Sequence, residues 1–201
     1  MTDLTWNPQD FLFNFPDVPP YEGPLTQASF MHKLNWVWRY VFDAIIPEIH
    51  RAVDAGSELA ALILALAVVD YLAGYSVGRQ SNGADYIAFI RRYFPPQYDP
   101  FAEPIYVQLR NGLMHNLASI NPWRAPGPTF LIHPNHPAHL QDIEDGRVTF
   151  SVLTFLEDIR RAWIMFAHDL AMHPQPDSVS NFTQRFDQLD GRGAFMQRVP
   201  D

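Results

Sequence analysis

The chain contains no cysteine, and Lys33 is the only lysine among its basic residues. The lack of cysteine excludes disulfide bonds and thiolate metal sites. The longest apolar run, residues 59–69, ends at Asp70 and is too short to span a bilayer. The first residues also lack the basic and apolar pattern of a secretory signal. We therefore expect a cytoplasmic protein without a membrane partner.

Positive charge is scarce, since 14 basic residues face 22 acidic ones and the net charge is −8. This balance argues against broad, sequence-independent binding of nucleic acid through a basic surface. One stretch is different: no acidic residue lies between Glu103 and Asp142, and Arg110 and Arg124 fall inside that window. A site for a phosphate-containing ligand is therefore expected to be local and to involve this stretch.

Apolar residues are plentiful at 47 %, and 201 residues are enough for one folded domain with a sizeable core. Apolar positions recur at helical spacing in most of the chain. The predicted fold is mostly α, a bundle of four to five helices. The predicted helices cover residues 27–55, 58–75, 84–94, 101–118, 154–172 and 177–189. Pro47 is expected to kink the first of them or split it in two.

The ends of the chain are predicted to lie outside the bundle. Residues 1–24 combine prolines with aromatic residues and are interpreted as an extended arm that packs on the body or on a second subunit. Residues 25–190 form the helical domain, and residues 191–201 form a C-terminal tail.

A small β-hairpin is predicted within the helical domain at about 129–152. Residues 129–133 and 147–152 have the composition of strands, and residues 139–141 are a third candidate strand. Asp145 and Gly146 form a strong hairpin-turn signal just before Arg147.

One predicted helix carries a combination of side chains suited to phosphate chemistry. Arg110, Asn111 and His115 lie together in residues 108–117, on a helix framed by leucines. At about 100° per residue, Asn111 and His115 are one turn apart on nearly the same line. Arginine matches phosphate with a charged fork, and histidine moves protons near neutral pH. An arginine and a histidine together are a minimal set for cleaving a phosphodiester.

The motif resembles the signature of the HEPN superfamily, in which an arginine and a histidine are separated by four to six residues and a polar residue commonly follows the arginine. Arg110, Asn111 and His115 match this pattern. The resemblance implies a HEPN-like helical bundle and a metal-independent endoribonuclease that acts as a homodimer, without a cofactor, in toxin, antiviral or RNA-processing systems. It also implies an antitoxin or nucleotidyltransferase partner. Other HEPN proteins are not catalytic, so a dimerisation or nucleotide-binding module is the alternative.

The resemblance implies roles for the three motif residues. His115 would act as general base or acid, Arg110 would stabilise the phosphorane, and Asn111 would orient His115 or the phosphate. The products would be a 2′,3′-cyclic phosphate and a 5′-hydroxyl.

Asp70 follows an apolar run, where a carboxylate needs a partner. Asp70 is expected to be buried and to pair with an arginine or cap a neighbouring element, and the alternative is that it holds Arg110 or His115 in position. Arg91, Arg92 and Arg124 are candidate phosphate or RNA contacts, although exposed charge on a helix explains the first two equally well.

Three further histidines, His133, His136 and His139, lie close together in the chain. Histidine is a common metal ligand, but prolines interrupt this segment and no acidic residue precedes Asp142. A loop beside the site is the preferred interpretation, and no metal site is predicted.

Overall fold

The computed structural model describes residues 18–19, 21–116 and 127–189, which are mostly helical with a small three-stranded mixed sheet. The helices are α1 (Phe30–Arg39), α2 (Ile46–Asp54), α3 (Glu58–Val77), α4 (Gly83–Tyr93), α5 (Ala102–Pro104), α6 (Gly112–Asn116), α7 (Val152–Met172) and α8 (Pro176–Leu189). The strands are β1 (Thr129–His133), β2 (Asp142–Glu144) and β3 (Arg147–Ser151). Two segments are π-helical, Tyr40–Ile45 and Ile105–Asn111.

Helix α3 lies at the centre of the fold and contacts α2, α4, α7 and α8. Leu62, Leu66, Val69 and Leu72 on this helix have no exposed surface. A helix that is apolar on every side is stable where other helices surround it. By length and composition α3 could also cross a bilayer, but 56 % of its most apolar window is buried inside the protein. This burial is typical of the core helix of a soluble protein.

The first π-helical segment explains how the chain passes Pro47. The proline has no N–H and cannot bond the carbonyl four residues earlier. The N–H of Ile46 reaches the carbonyl of Val41, five residues back. The chain therefore stays helical from α1 through Tyr40–Ile45 to α2, and the expected break is replaced by a wider turn.

The second π-helical segment corrects the prediction for the motif helix. Residues 101–118 were expected to form one α-helix, but the segment that contains Arg110 and Asn111 is π-helical and follows Pro104. Because its hydrogen bonds span five residues, angles based on 100° per residue are wrong here. The predicted apolar frame is confirmed at Ile105, Leu109 and Leu113, which are buried.

The sheet has the strand order β1-β3-β2. β2 and β3 form the predicted hairpin, and its turn places Asp145 and Gly146 at φ values of 54° and 71°. The rest of the prediction is wrong in two respects. The third strand is Asp142–Glu144, not 139–141, and β1 pairs with β3 in parallel, from Thr129 opposite Arg147 to His133 opposite Ser151.

The sheet is joined to the bundle where β3 runs directly into α7. Ser151 ends the strand and caps the helix, since its side chain accepts a hydrogen bond from the N–H of Thr154. Phe150 is fully buried and its ring lies 5.0 Å from that of Phe155. The predicted tail and most of the predicted N-terminal arm lie outside the described residues.

Candidate functional site

The side chains of Asp70 and Arg110 form an ion pair between α3 and the second π-helical segment. Arg110 donates from Nε to Oδ2 of Asp70 at 2.7 Å, and its Nη2 donates to the same oxygen. Ser81 donates from Oγ to the other carboxylate oxygen, also at 2.7 Å. The expected contact between Asp70 and an arginine is therefore present, and the arginine is the one in the motif.

The ion pair is only partly buried. The side chains of Arg110 and Asp70 are 18 % and 20 % exposed. Asp70 was expected to be buried, and it instead lies at the edge of the core. An ion pair at such an edge remains accessible to solvent and to a ligand, while its geometry is fixed by charge-assisted hydrogen bonds.

Two neighbours orient the guanidinium of Arg110 further. Its Nη1 donates to Oδ1 of Asn111 at 2.9 Å, and its Cζ lies 5.6 Å from the centre of the Tyr106 ring. Asn111 thus contacts the arginine of the motif. Buried Ile105 and Leu109 anchor the π-helical segment in the core, which leaves Arg110 and Asn111 at its accessible edge.

A buried tyrosine lies behind the ion pair. The ring of Tyr86 packs 5.3 Å from that of Tyr106, and its hydroxyl is buried without a hydrogen-bond partner in the described part of the chain. Burial raises the pKa of Tyr86 well above its ordinary value; the charge of Asp70 adds to the rise and Arg110 opposes it. Tyr86 is therefore neutral under all ordinary conditions.

The remaining predicted site residues are not all brought to this pair. Arg91 and Arg92 are exposed on α4, and Nη2 of Arg92 lies 3.7 Å from Asp169 of α7. No hydrogen bond or ion pair among the described residues joins either of them to Arg110. His115 lies in α6, but its side chain and all of Arg124 fall outside the described residues.

The three clustered histidines have separate environments. The rings of His133 and His136 lie 5.0 Å apart, and Nδ1 of His136 accepts a hydrogen bond from the N–H of Ala138. His139 is buried, with its Nδ1 bonded to the N–H of Ser151 at 2.9 Å. The described residues contain no group of three or more His, Asp or Glu side chains placed to hold a metal ion.

His139 belongs to a buried polar network that sequence reasoning missed. Nδ1 of His139 accepts a hydrogen bond from the N–H of Ser151, so the ring proton must be on Nε2, which faces Oη of Tyr98 at 2.7 Å. Tyr98 donates to Oδ2 of Asp158 at 2.8 Å, and Arg161 donates to Oδ1 at 3.1 Å. Each donor in this chain of hydrogen bonds therefore has an acceptor, and the network joins the sheet to α7.

Burial shifts the pKa values of the network. It lowers the pKa of His139 from 6.5 to about 4. It raises the pKa of Asp158, while the hydrogen bond from Tyr98 and the charge of Arg161 act in the opposite direction. Asp158 is 2 % exposed, although a charged side chain on a helix is ordinarily solvated. Its position three residues after Phe155 and four before Ala162 was the signal that could have placed it beside the buried stripe.

Comparisons with protein-family models, with curated proteins and with solved structures found no match for this chain. A function for this chain must therefore be inferred from its own chemical groups. The Asp70–Arg110 pair offers a fixed positive group at an accessible edge, which can bind an anion and stabilise negative charge. The Tyr98–His139–Asp158 network is closed and buried, and a structural role suits it better.

Proposed function

We propose that this protein is a metal-independent endoribonuclease of HEPN type, with Arg110, Asn111 and His115 as its catalytic residues. The observation that supports this proposal is the way Arg110 is held. Three of its N–H groups are used by Asp70 and Asn111. A guanidinium has five N–H donors, so one remains on each of the two terminal nitrogens. Two adjacent donors in a fixed plane match two oxygens of a phosphate.

In the proposed reaction the 2′-oxygen of a ribose attacks the adjacent phosphorus while the bond from phosphorus to the 5′-oxygen breaks. His115 takes the proton of the 2′-hydroxyl or gives a proton to the departing 5′-oxygen. Arg110 stabilises the negative charge that builds up on the phosphoryl oxygens. The products are a 2′,3′-cyclic phosphate and a 5′-hydroxyl. Asp70 is a positioning residue that keeps the fork of Arg110 in one orientation.

A homodimer is part of this proposal. One chain supplies one histidine, whereas the attacking and leaving oxygens are better served by two proton-transferring groups. Two motif helices near a two-fold axis would supply both groups and concentrate positive charge on an acidic protein. Met114 is 41 % exposed and offers apolar surface for such contact, whereas Leu113 is buried in the core of its own protomer. An antitoxin or a nucleotidyltransferase would be a further partner.

The alternative is a non-catalytic HEPN-like module for dimerisation or nucleotide binding. The contact that favours it is the same ion pair, because Asp70 neutralises much of the charge of Arg110. The net charge of −8 also opposes binding of a long RNA.

The decisive experiment is incubation of the purified protein with a mixed RNA pool in EDTA. We expect fragments that end in a 2′,3′-cyclic phosphate and begin with a 5′-hydroxyl, detected by end-specific ligation. Matched RNA with 2′-O-methyl riboses, which lacks the attacking hydroxyl, must remain intact. If wild-type protein leaves every RNA uncut, the enzyme proposal fails and the binding module is favoured. Analytical ultracentrifugation at micromolar concentration tests the dimer, and a persistent monomer would contradict the two-fold site.

A further inference from the structure

A second arginine reaches the face of α3 that carries Asp70. Arg185 extends from α8 across Gly74, which lies one helical turn after Asp70. A Cβ atom at Gly74 would lie 3.1 Å from Nε of Arg185 and 3.6 Å from its Cζ. The absence of a side chain at this position therefore lets the guanidinium lie against the backbone of α3.

The position of Arg185 is imposed by the way α8 is anchored. Phe182 and Phe186 on this helix have no exposed surface. Asn181 donates from Nδ2 to the carbonyl of Ser76 at 3.1 Å, and the buried Lys33 pairs with Asp187 at 2.7 Å. A contact with α3 before Arg185 and a contact with α1 after it thus fix the backbone of α8 at this position.

Arg185 carries a charge that no acidic side chain matches directly. Within the described residues it has no ion pair, and its Nε–H is buried without a hydrogen-bond partner. Its Nη1 donates to Oε1 of Gln188 at 3.3 Å, which is a neutral acceptor. Burial lowers the pKa of Arg185, and Tyr71 and Asp70 act in the opposite direction. An arginine nevertheless stays protonated in proteins, so this site has a cation that needs an anion.

The charge of Asp70, which raises the pKa of Arg185, is already engaged by a direct ion pair with Arg110. Asp70 accepts hydrogen bonds from Arg110 and from Ser81. Arg110 therefore holds the carboxylate of Asp70 directly, and Arg185 is left without an ion pair among the described residues. A partly buried arginine without a paired acid can bind a phosphate through charge-assisted hydrogen bonds.

We propose that Arg185 binds a backbone phosphate of the RNA next to the phosphate held by Arg110, so that α8 supplies one wall of the site. This inference rests on the proposed function for the identity of the ligand. Arg185 would then be a binding residue, and the phosphate spacing of RNA would select a polynucleotide over a mononucleotide.

The test uses fluorescence anisotropy with a short, 5′-labelled, single-stranded 2′-O-methyl RNA, which the proposed reaction cannot cleave. Binding is measured over a series of salt concentrations for wild type, Arg185→Gln and Arg51→Gln. Each phosphate contact of a single strand contributes about 0.7 to the slope of log affinity against log salt. Arg185→Gln should lower that slope by about 0.7 and weaken binding about tenfold or more. Arg51 pairs with Glu48 on the surface of α2, so Arg51→Gln should leave the slope unchanged.

A second measurement avoids any effect of the substitution on folding. In the wild-type protein, the Nε–H resonance of Arg185 should shift when the 2′-O-methyl RNA is added, whereas that of Arg51, already bonded to Glu48, should not. An unchanged slope in Arg185→Gln, a silent Arg185 resonance, or no binding of the RNA by wild type overturns the inference. If Arg185→Gln lowers the salt slope as expected but wild type does not cleave ordinary RNA, only the enzyme proposal is overturned. Cleavage with no role for Arg185 would overturn only this inference.

Discussion

Two arginine–aspartate pairs in this protein have opposite surroundings. The side chain of Asp158 is 2 % exposed. Its Oδ2 accepts a hydrogen bond from Tyr98, and its Oδ1 accepts one from Arg161. The carboxylate of Asp70 is 20 % exposed, and its partner Arg110 keeps two N–H groups without acceptors in the described chain. In the first pair the carboxylate is closed to solvent, and Arg161, which is 31 % exposed, also lies 3.8 Å from Glu157; a structural role suits this pair. The second is open on one side and can also contact a ligand.

The largest expected effect is on the closed network, through pH. Burial lowers the pKa of His139 to about 4, whereas an unfolded histidine titrates near 6.5. Between these values the unfolded chain binds one more proton, so the free energy of unfolding falls by about 1.4 kcal/mol per unit as the pH decreases. The loss reaches about 3 kcal/mol near pH 4. The raised pKa of Asp158 offsets part of it at the acidic end, because the folded state then holds that proton more tightly.

Urea denaturation of wild type and His139→Gln at several pH values between 7 and 5 measures this contribution. The glutamine variant lacks the titrating group, so its loss of stability between pH 7 and pH 5 should be smaller than that of wild type by about 2 kcal/mol. Parallel curves for the two proteins would show that His139 is not the source of the dependence.

The next effect concerns the open pair. Arg110→Ala and His115→Ala should each reduce RNA cleavage by at least about a hundredfold, the scale of a lost acid–base or charge-stabilising group. Their melting temperatures should stay close to that of wild type. Arg51→Ala, which removes a surface arginine elsewhere, is the matched control. Activity that survives in both motif variants would place the catalytic groups elsewhere in the chain.

Tyr98→Phe should lower the free energy of unfolding by about 2 kcal/mol. The change removes one hydroxyl and leaves Oδ2 of Asp158 and Nε2 of His139 buried without partners. The comparison variant is Tyr21→Phe. Because Tyr21 is 36 % exposed, the loss of its hydroxyl should leave the free energy of unfolding nearly unchanged. If the two substitutions lower the free energy of unfolding equally, the hydrogen bonds of Tyr98 contribute no more to stability than those of a surface tyrosine.

The smallest effect on stability is expected for Asp70→Asn, about 1 kcal/mol. Asp70 and Arg110 both contact solvent, which screens the lost charge. Cleavage should still fall about tenfold, because Arg110 would no longer be held in one orientation. The measurement pairs a melting curve with a cleavage rate. A large loss of stability with unchanged cleavage would assign Asp70 to the structure alone.

The sequence was sufficient for the parts of the fold that depend on local pattern. Helical spacing predicted α3, α4, α7 and α8 near their observed bounds, and the Asp145–Gly146 turn was predicted from two residues whose conformation it requires. The contact of Asp70 with an arginine was predicted from the cost of leaving a carboxylate without a partner near a core.

The remaining features depend on contacts between distant residues. The parallel pairing of β1 with β3 is set by how the sheet packs, and no local signal in either strand specifies it. Asp158 is buried because Tyr98 and Arg161 meet it, and Tyr98 is 60 residues away in the chain. Arg185 lies near Asp70 only because α8 folds back onto α3. Such residues look like ordinary surface charges until the tertiary contacts are known.

The π-helical segment Ile105–Asn111 makes this region sensitive to the length of the chain and not only to its composition. A π-helical turn holds more residues than an α-helical turn over the same path. Deleting one residue from it would allow an ordinary α-helix to form, and every later side chain would rotate by about 100° about the axis. Leu109 and Leu113 could then not face the core at the same time as Arg110 contacts Asp70. Variation that keeps this site intact must therefore proceed by substitution, whereas insertions and deletions are confined to other segments.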